Sequence, residues 1–97
     1  MEPIRIEHLA GHRFEAALPG GRAELEYRMS GGRMVILHTG VPEALRGQGV
    51  AGRLVEAALE HARAHGLRVE PRCAYAAGWI RRHPEYAALV VGAPDPS

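Results

Sequence analysis

Between Arg22 and Met29 the chain alternates strictly: Ala23, Leu25, Tyr27 and Met29 fall on one side, and Arg22, Glu24, Glu26 and Arg28 on the other. A period of two is that of a half-buried β-strand with one face in water. Glycine pairs at Gly20-Gly21 and Gly31-Gly32 bracket it, so His12–Leu18, Arg22–Met29 and Met34–Thr39 are predicted as three antiparallel strands joined by two hairpins. Met34 to Leu37 is apolar at every position, which predicts a strand inside the sheet with both faces covered. Ile4 to Leu9 alternates more weakly and reads as an edge strand.

After Val41-Pro42 the period changes. Val50, Leu54, Val55, Ala58, Leu59 and Ala62 recur at helical spacing and Gly66 follows, predicting a helix over residues 49–65. Leu67 to Arg72 reads as a short strand, parallel to the third through a right-handed βαβ crossover. A second helix is expected from Ala74 to His83, stopped by Pro84, and residues 93–97 are expected to be mobile. The predicted class is α+β, with residues 1–97 forming a single domain, because 97 residues suffice for one modest core.

Composition removes several function classes. The net charge is +1 with a pI near 8.0, so little basic excess exists to drive counterion release, and nucleic acid is not the expected partner. The sequence contains no Lys and no Asn, and its twelve basic residues are all Arg, a bias expected of a GC-rich bacterial genome. Cys73 is the sole cysteine, so neither a disulfide framework nor a multi-thiolate zinc site can form within the chain. His61 and His65 stand four apart near a helix end with no carboxylate arrangement that would make them a metal site. Charges at Glu2, Arg5 and Glu7 occupy the place of a leader's apolar stretch, and no apolar run approaches the length of a membrane span. A cytoplasmic protein is expected.

The chemistry concentrates in Arg46-Gly47-Gln48-Gly49-Val50-Ala51-Gly52, between a strand and a helix start. The first amides of a helix lack intrahelical partners, and glycines at 47 and 49 allow the backbone to turn them onto an anion, with Arg46 or Arg53 adding charge-assisted contacts. A diphosphate suits such a loop. A nucleotide P-loop would need Lys followed by Ser or Thr, and a dinucleotide fingerprint would need this loop directly after the first strand. The alternative reading is a tight connection without a ligand.

The arrangement Arg46-x-x-Gly49-x-Ala51 resembles the pyrophosphate-binding signature of the GNAT acetyltransferase superfamily. His38-Thr39-x-Val41-Pro42, Leu45-Arg46-Gly47-x-Gly49-Val50-Ala51, Pro71-x-Cys73-x-Tyr75 and Ile80-Arg81-Arg82-His83-Pro84-Glu85-Tyr86 together resemble its minimal branch of about a hundred residues. The resemblance implies a curved, mostly antiparallel sheet with one parallel crossover and two helices. It implies acetyl-CoA as co-substrate without a metal, held by Arg46, Gly47, Gln48, Gly49, Val50, Ala51, Gly52 and Arg53, with Thr39 and Val41 at the strand edge that would pair with pantetheine. The acceptor it implies is a primary amine on a small molecule or protein.

The resemblance associates a cysteine at position 73 with the active site. At a helix start its thiolate would be stabilised by free amides and by Arg72, Arg81 or His38; the alternative is a small buried residue. His38, late in the third strand, is read either as a base that orients Cys73 or as a structural imidazole. Longer relatives often place a Tyr acid where this chain has Ile80, which keeps open a second reading, a CoA-binding sensor without turnover. Arg81-Arg82-His83 either meets the 3′-phosphate of CoA or faces solvent. Trp79 and Tyr86 are read as core anchors.

Overall fold

The computed structural model describes residues 4–92; the expected mobile tail at 93–97 lies outside them. The strands are β1 (Ile6–Leu9), β2 (Arg13–Leu18), β3 (Gly21–Ser30), β4 (Arg33–Gly40) and β5 (Arg68–Pro71). They form one sheet in the order β1-β2-β3-β4-β5, antiparallel throughout except for β4 and β5. Gly31 and Gly32 both hold positive φ, at 54° and 77°, the combination a two-residue hairpin loop requires and that only glycine adopts freely. The helices are α1 (Val50–Ala64), which makes the crossover between β4 and β5, and α2 (Ala74–Arg81).

The apolar stripe of α1, Val50, Leu54, Val55, Ala58, Leu59 and Ala62, is buried on the sheet face formed by Phe14, Ala16, Leu25, Tyr27, Met34, Ile36 and Val69. These residues are the ones whose spacing predicted the elements, and burying them is the main favourable term of the fold. Trp79 and Tyr86 are buried as anchors: the Tyr86 hydroxyl donates to Glu60 on α1 at 2.6 Å, fixing the 3-10 segment Pro84–Leu89 against the helix. Val91 N–H donates to the Val69 carbonyl and the Arg68 guanidinium donates to the carbonyls of Ala88 and Val90, so the chain after α2 shields the free edge of β5.

One expectation about β4 is corrected. It lies inside the sheet, and Met34, Val35 and Ile36 are buried, but Leu37 is 42% exposed. Among the described residues both helices share one core with the Leu25 and Ile36 face, so beyond Val35 the other face of β4 is open and its apolar run ends in an exposed residue. Met29, placed by its parity with Leu25 and Tyr27, is 43% exposed at the hairpin end of β3.

Candidate active site

Register explains how the sheet opens. Tyr27 pairs with Ile36 and Glu26 with His38, so Leu37 has no partner on β3 and the ladder carries a bulge there. On the other side, β4 pairs with β5 only as far as Ile36 opposite Pro71, and the Ile36 carbonyl accepts from the N–H groups of both Arg72 and Cys73 as that chain turns away into α2. From Leu37 onward the β5-facing edge of β4 is therefore unpaired by β5.

A cleft of about 450 Å³ lies in this opening, within the size range of small-molecule sites. It is lined by Thr39, Val41, Arg46, Gly47, Gly49, Val50 and Ala51, all singled out in the sequence, and also by Leu45 and Tyr75. Gly49 is the N-cap of α1 with φ 76°, and no side chain caps the helix. The first intrahelical bond is from Arg53 N–H to the Gly49 carbonyl, so the preceding amides remain for another acceptor. The first turn also lacks an acidic residue, leaving the positive end of the helix dipole uncompensated. Gly47 holds φ 85°, and a Cβ at either glycine would meet no protein atom within 4 Å. Both glycines thus serve backbone conformation while keeping the space before the amides open.

Three of the loop residues do other work. The Gln48 amide donates to the Ala44 carbonyl at 3.4 Å, and Arg53 pairs with Glu56 at 3.9 Å. Gly52 is a packing position: a Cβ there would stand 2.9 Å from Trp79 Nε1 and 3.5 Å from the Tyr75 hydroxyl. It lets α2 approach α1 and so sets where Tyr75 enters the cleft. None of the three lines the cleft.

Cys73 is the N-cap of α2, half-buried, with its thiol donating to Thr39 Oγ1 at 3.4 Å. Burial pushes its pKa up, but the thiolate form accepts hydrogen bonds from the Thr39 hydroxyl, rotated to donate, and from backbone amides at Ala76, Tyr75 and Thr39, which outweigh burial, and the net direction is below the ordinary thiol value. Arg72 contributes nothing comparable because its guanidinium is engaged by Glu70. The expected His38–Cys73 pair does not form. Thr39 is opposite the fully buried Leu25 and points to the α1 face, whereas His38 is opposite Glu26 on the other face. The imidazole lies over Gly40, with Nε2 3.1 Å from a Cβ built there. The bulge at Leu37 shifts the β4 register against β3, and Thr39 takes the place beside the thiol.

Leu45 and Tyr75 stand in the motifs that carry the resemblance, but the sequence assigned neither of them to the cleft. Leu45, buried in the 3-10 turn Glu43–Leu45, reads as an ordinary apolar residue, and the direction of Tyr75 depends on how closely α2 packs. Ile80, where the resemblance would lead one to look for an acid, is 5% exposed and part of the core. Among the described residues no group of three or more His, Cys, Asp or Glu is arranged to hold a metal, and no helix is long and apolar enough to cross a membrane.

A mostly antiparallel sheet that parts at a parallel strand pair, with an uncapped helix start at the parting, is the frame of a small acetyltransferase-type α+β protein. A family model described as GCN5-related N-acetyl-transferase matches residues 13–89, and the chain belongs to that family. Among curated proteins it is similar to Protein NATD1 of Bos taurus, 41% identical over 86 residues covering 84% of this chain and 76% of that protein. Protein NATD1 of Homo sapiens is 40% identical over the same shares. The solution structure of a GCN5-like protein from Staphylococcus aureus superposes with a TM-score of 0.74 at 28% identity, covering 99% of this chain and 96% of that one.

Proposed function

We propose that the protein is an acetyl-CoA-dependent N-acetyltransferase that moves an acetyl group to a primary amine. The observation that carries this reading is the cleft before α1: free helical amides, two positive-φ glycines and Arg46 facing one open volume. These residues fit a diphosphate, and the β4 edge at Thr39 and Val41 fits the amide groups of a pantetheine arm. When bound, acetyl-CoA supplies a thioester carbon already activated for attack.

The transfer forms a C–N bond and breaks a C–S bond, so the amine must lose a proton and the departing sulfur must gain one. Cys73, at the start of α2 with its thiol bonded to the cleft-lining Thr39, is assigned to proton transfer on the cofactor side. His38, exposed on the opposite face of the sheet, is assigned to the amine arriving across the opening. The two residues therefore act from separate sides of the parted strands.

The test is isothermal titration with CoA, followed by intact-mass detection of acetyl transfer to a panel of amines. Absence of binding at millimolar CoA defeats the cofactor assignment. Equal rates in wild type and Cys73→Ala remove that thiol from the mechanism. Lacking lysine, the chain offers no lysine side chain to confuse the mass readout.

Buried Ile80 supports a second reading, a CoA-binding sensor or interaction module, since no phenol stands at that position to protonate the thiolate. Tight CoA binding without transfer to any amine selects it. The curated relatives named above are vertebrate proteins and do not support the bacterial source that arginine usage points to. The cytoplasmic setting is an expectation from the sequence alone.

A further inference from the structure

Tyr75, Gly78, Trp79 and Arg82 recur at three- and four-residue spacing and so share one side of α2. That side meets the first turn of α1, where a Gly52 Cβ would touch both Trp79 Nε1 and the Tyr75 hydroxyl. Tyr75 lines the cleft, so the same side of α2 leads from the cleft toward the C-terminus of the helix. At Gly78 this side carries two cations. A Cβ built there would lie 3.4 Å from Arg82 Nη1 and 3.5 Å from Arg81 Nη2, so both guanidiniums fold back over the same backbone position.

Side chains on a helix lean toward its N-terminus, which brings residues three and four positions on over the same spot, and a glycine there lets them approach the backbone. Arg81 and Arg82 are both exposed at the C-terminal end of α2, and an anion held between the two guanidiniums would offset their mutual repulsion. The ion pairs among the described residues engage Arg13, Arg22, Arg33, Arg53, Arg63 and Arg72, and leave out Arg81 and Arg82. Interior glycine is itself unfavourable in a helix. Here it gives space to arginines and not to packing, since no other side chain comes as near.

We infer that Arg81 and Arg82, converging over Gly78, form a phosphate site that recognises the 3′-phosphate of the cofactor's adenosine. This rests on the reading of the cleft as an acetyl-CoA site. From Tyr75 to Arg82 the helix advances about 10 Å, a reach compatible with a diphosphate at the α1 start and a second phosphate on the attached ribose. Two guanidiniums offer forked donors to one dianionic group, the geometry in which arginine binds phosphate best. The site makes the protein selective for CoA over the same molecule lacking that one phosphate.

Titration calorimetry with CoA and with 3′-dephospho-CoA, on wild type and on the double variant Arg81→Gln with Arg82→Gln, tests this directly. Wild type is expected to bind CoA about tenfold tighter or more, the effect of one charge-assisted hydrogen bond. The double variant is expected to lose that preference while its affinity for dephospho-CoA stays within about twofold of wild type. Equal affinities in wild type, or an equal loss for both ligands in the variant, overturn the inference while leaving the cofactor reading intact. Failure of wild type to bind either ligand overturns the cofactor reading, and the phosphate site with it.

Discussion

Gly52 and Gly78 both sit inside helices, at ordinary helical φ, and the same change at each is expected to have opposite signs. Replacing glycine by alanine in a helix interior gains about 0.5–1 kcal/mol of backbone entropy. At Gly52 the new methyl would stand 2.9 Å from Trp79 Nε1. That ring cannot retreat cheaply: it is 7% exposed and stacks on His83 at 3.6 Å, while the His83 imidazole is itself bonded to the Trp79 carbonyl. Overpacking of this kind costs about 1–3 kcal/mol, so Gly52→Ala is expected to destabilise by a net ~1–2 kcal/mol. At Gly78 the methyl meets only the ends of Arg81 and Arg82, at 3.5 and 3.4 Å, which can swing outward. The entropy gain then dominates. In a domain of this size 1 kcal/mol moves Tm by roughly 4–8 °C, so thermal unfolding followed by circular dichroism should show Gly52→Ala falling by about 5–15 °C and Gly78→Ala rising by a few degrees. A Gly52→Ala protein as stable as wild type would refute the claim that this glycine sets the α1–α2 distance, and with it the account of how Tyr75 reaches the cleft.

Three further outcomes follow from the titratable groups. Thr39→Val removes a hydrogen bond that holds the Cys73 thiol below its ordinary pKa, so the midpoint of its alkylation rate against pH should move upward; an unchanged midpoint would show that the α2 amides alone set it. Burial first, and then neighbouring imidazoles, lower the pKa of His8 and His61, whose rings lie 4.4 Å apart. The unfolded chain then binds more protons below about pH 6.5, so stability should fall as pH drops through that value, and urea titrations of His61→Gln should show a shallower fall. The Glu60 carboxylate bonded to the Tyr86 hydroxyl, together with burial, pushes that phenol up to about 12. Its contribution is complete below the unfolded value near pH 10 and is lost as pH rises toward 12; at neutral pH Tyr86→Phe should cost about 0.5–1.5 kcal/mol by chemical denaturation, and a neutral result would assign the anchor to ring packing alone.

Local pattern determined the elements of this protein and their sides. The alternation from Ala23 to Tyr27 named the buried face of β3, and the spacing from Val50 to Ala62 named the stripe of α1, because burial follows the repeat of each backbone. The glycines at 47 and 49 marked the cleft for the same local reason: their positive φ is a property of the residue itself. Tertiary structure decided the partners across gaps. The bulge at Leu37 set His38 and Thr39 on opposite faces, and Thr39, rather than the imidazole, took the thiol of Cys73. The packing of Trp79 on Gly52 carried Tyr75 into the cleft and made that glycine a helix-to-helix contact. Such pairings depend on strand register and on helix-to-helix distance, both set by contacts between residues far apart in the chain, and periodicity holds no record of either.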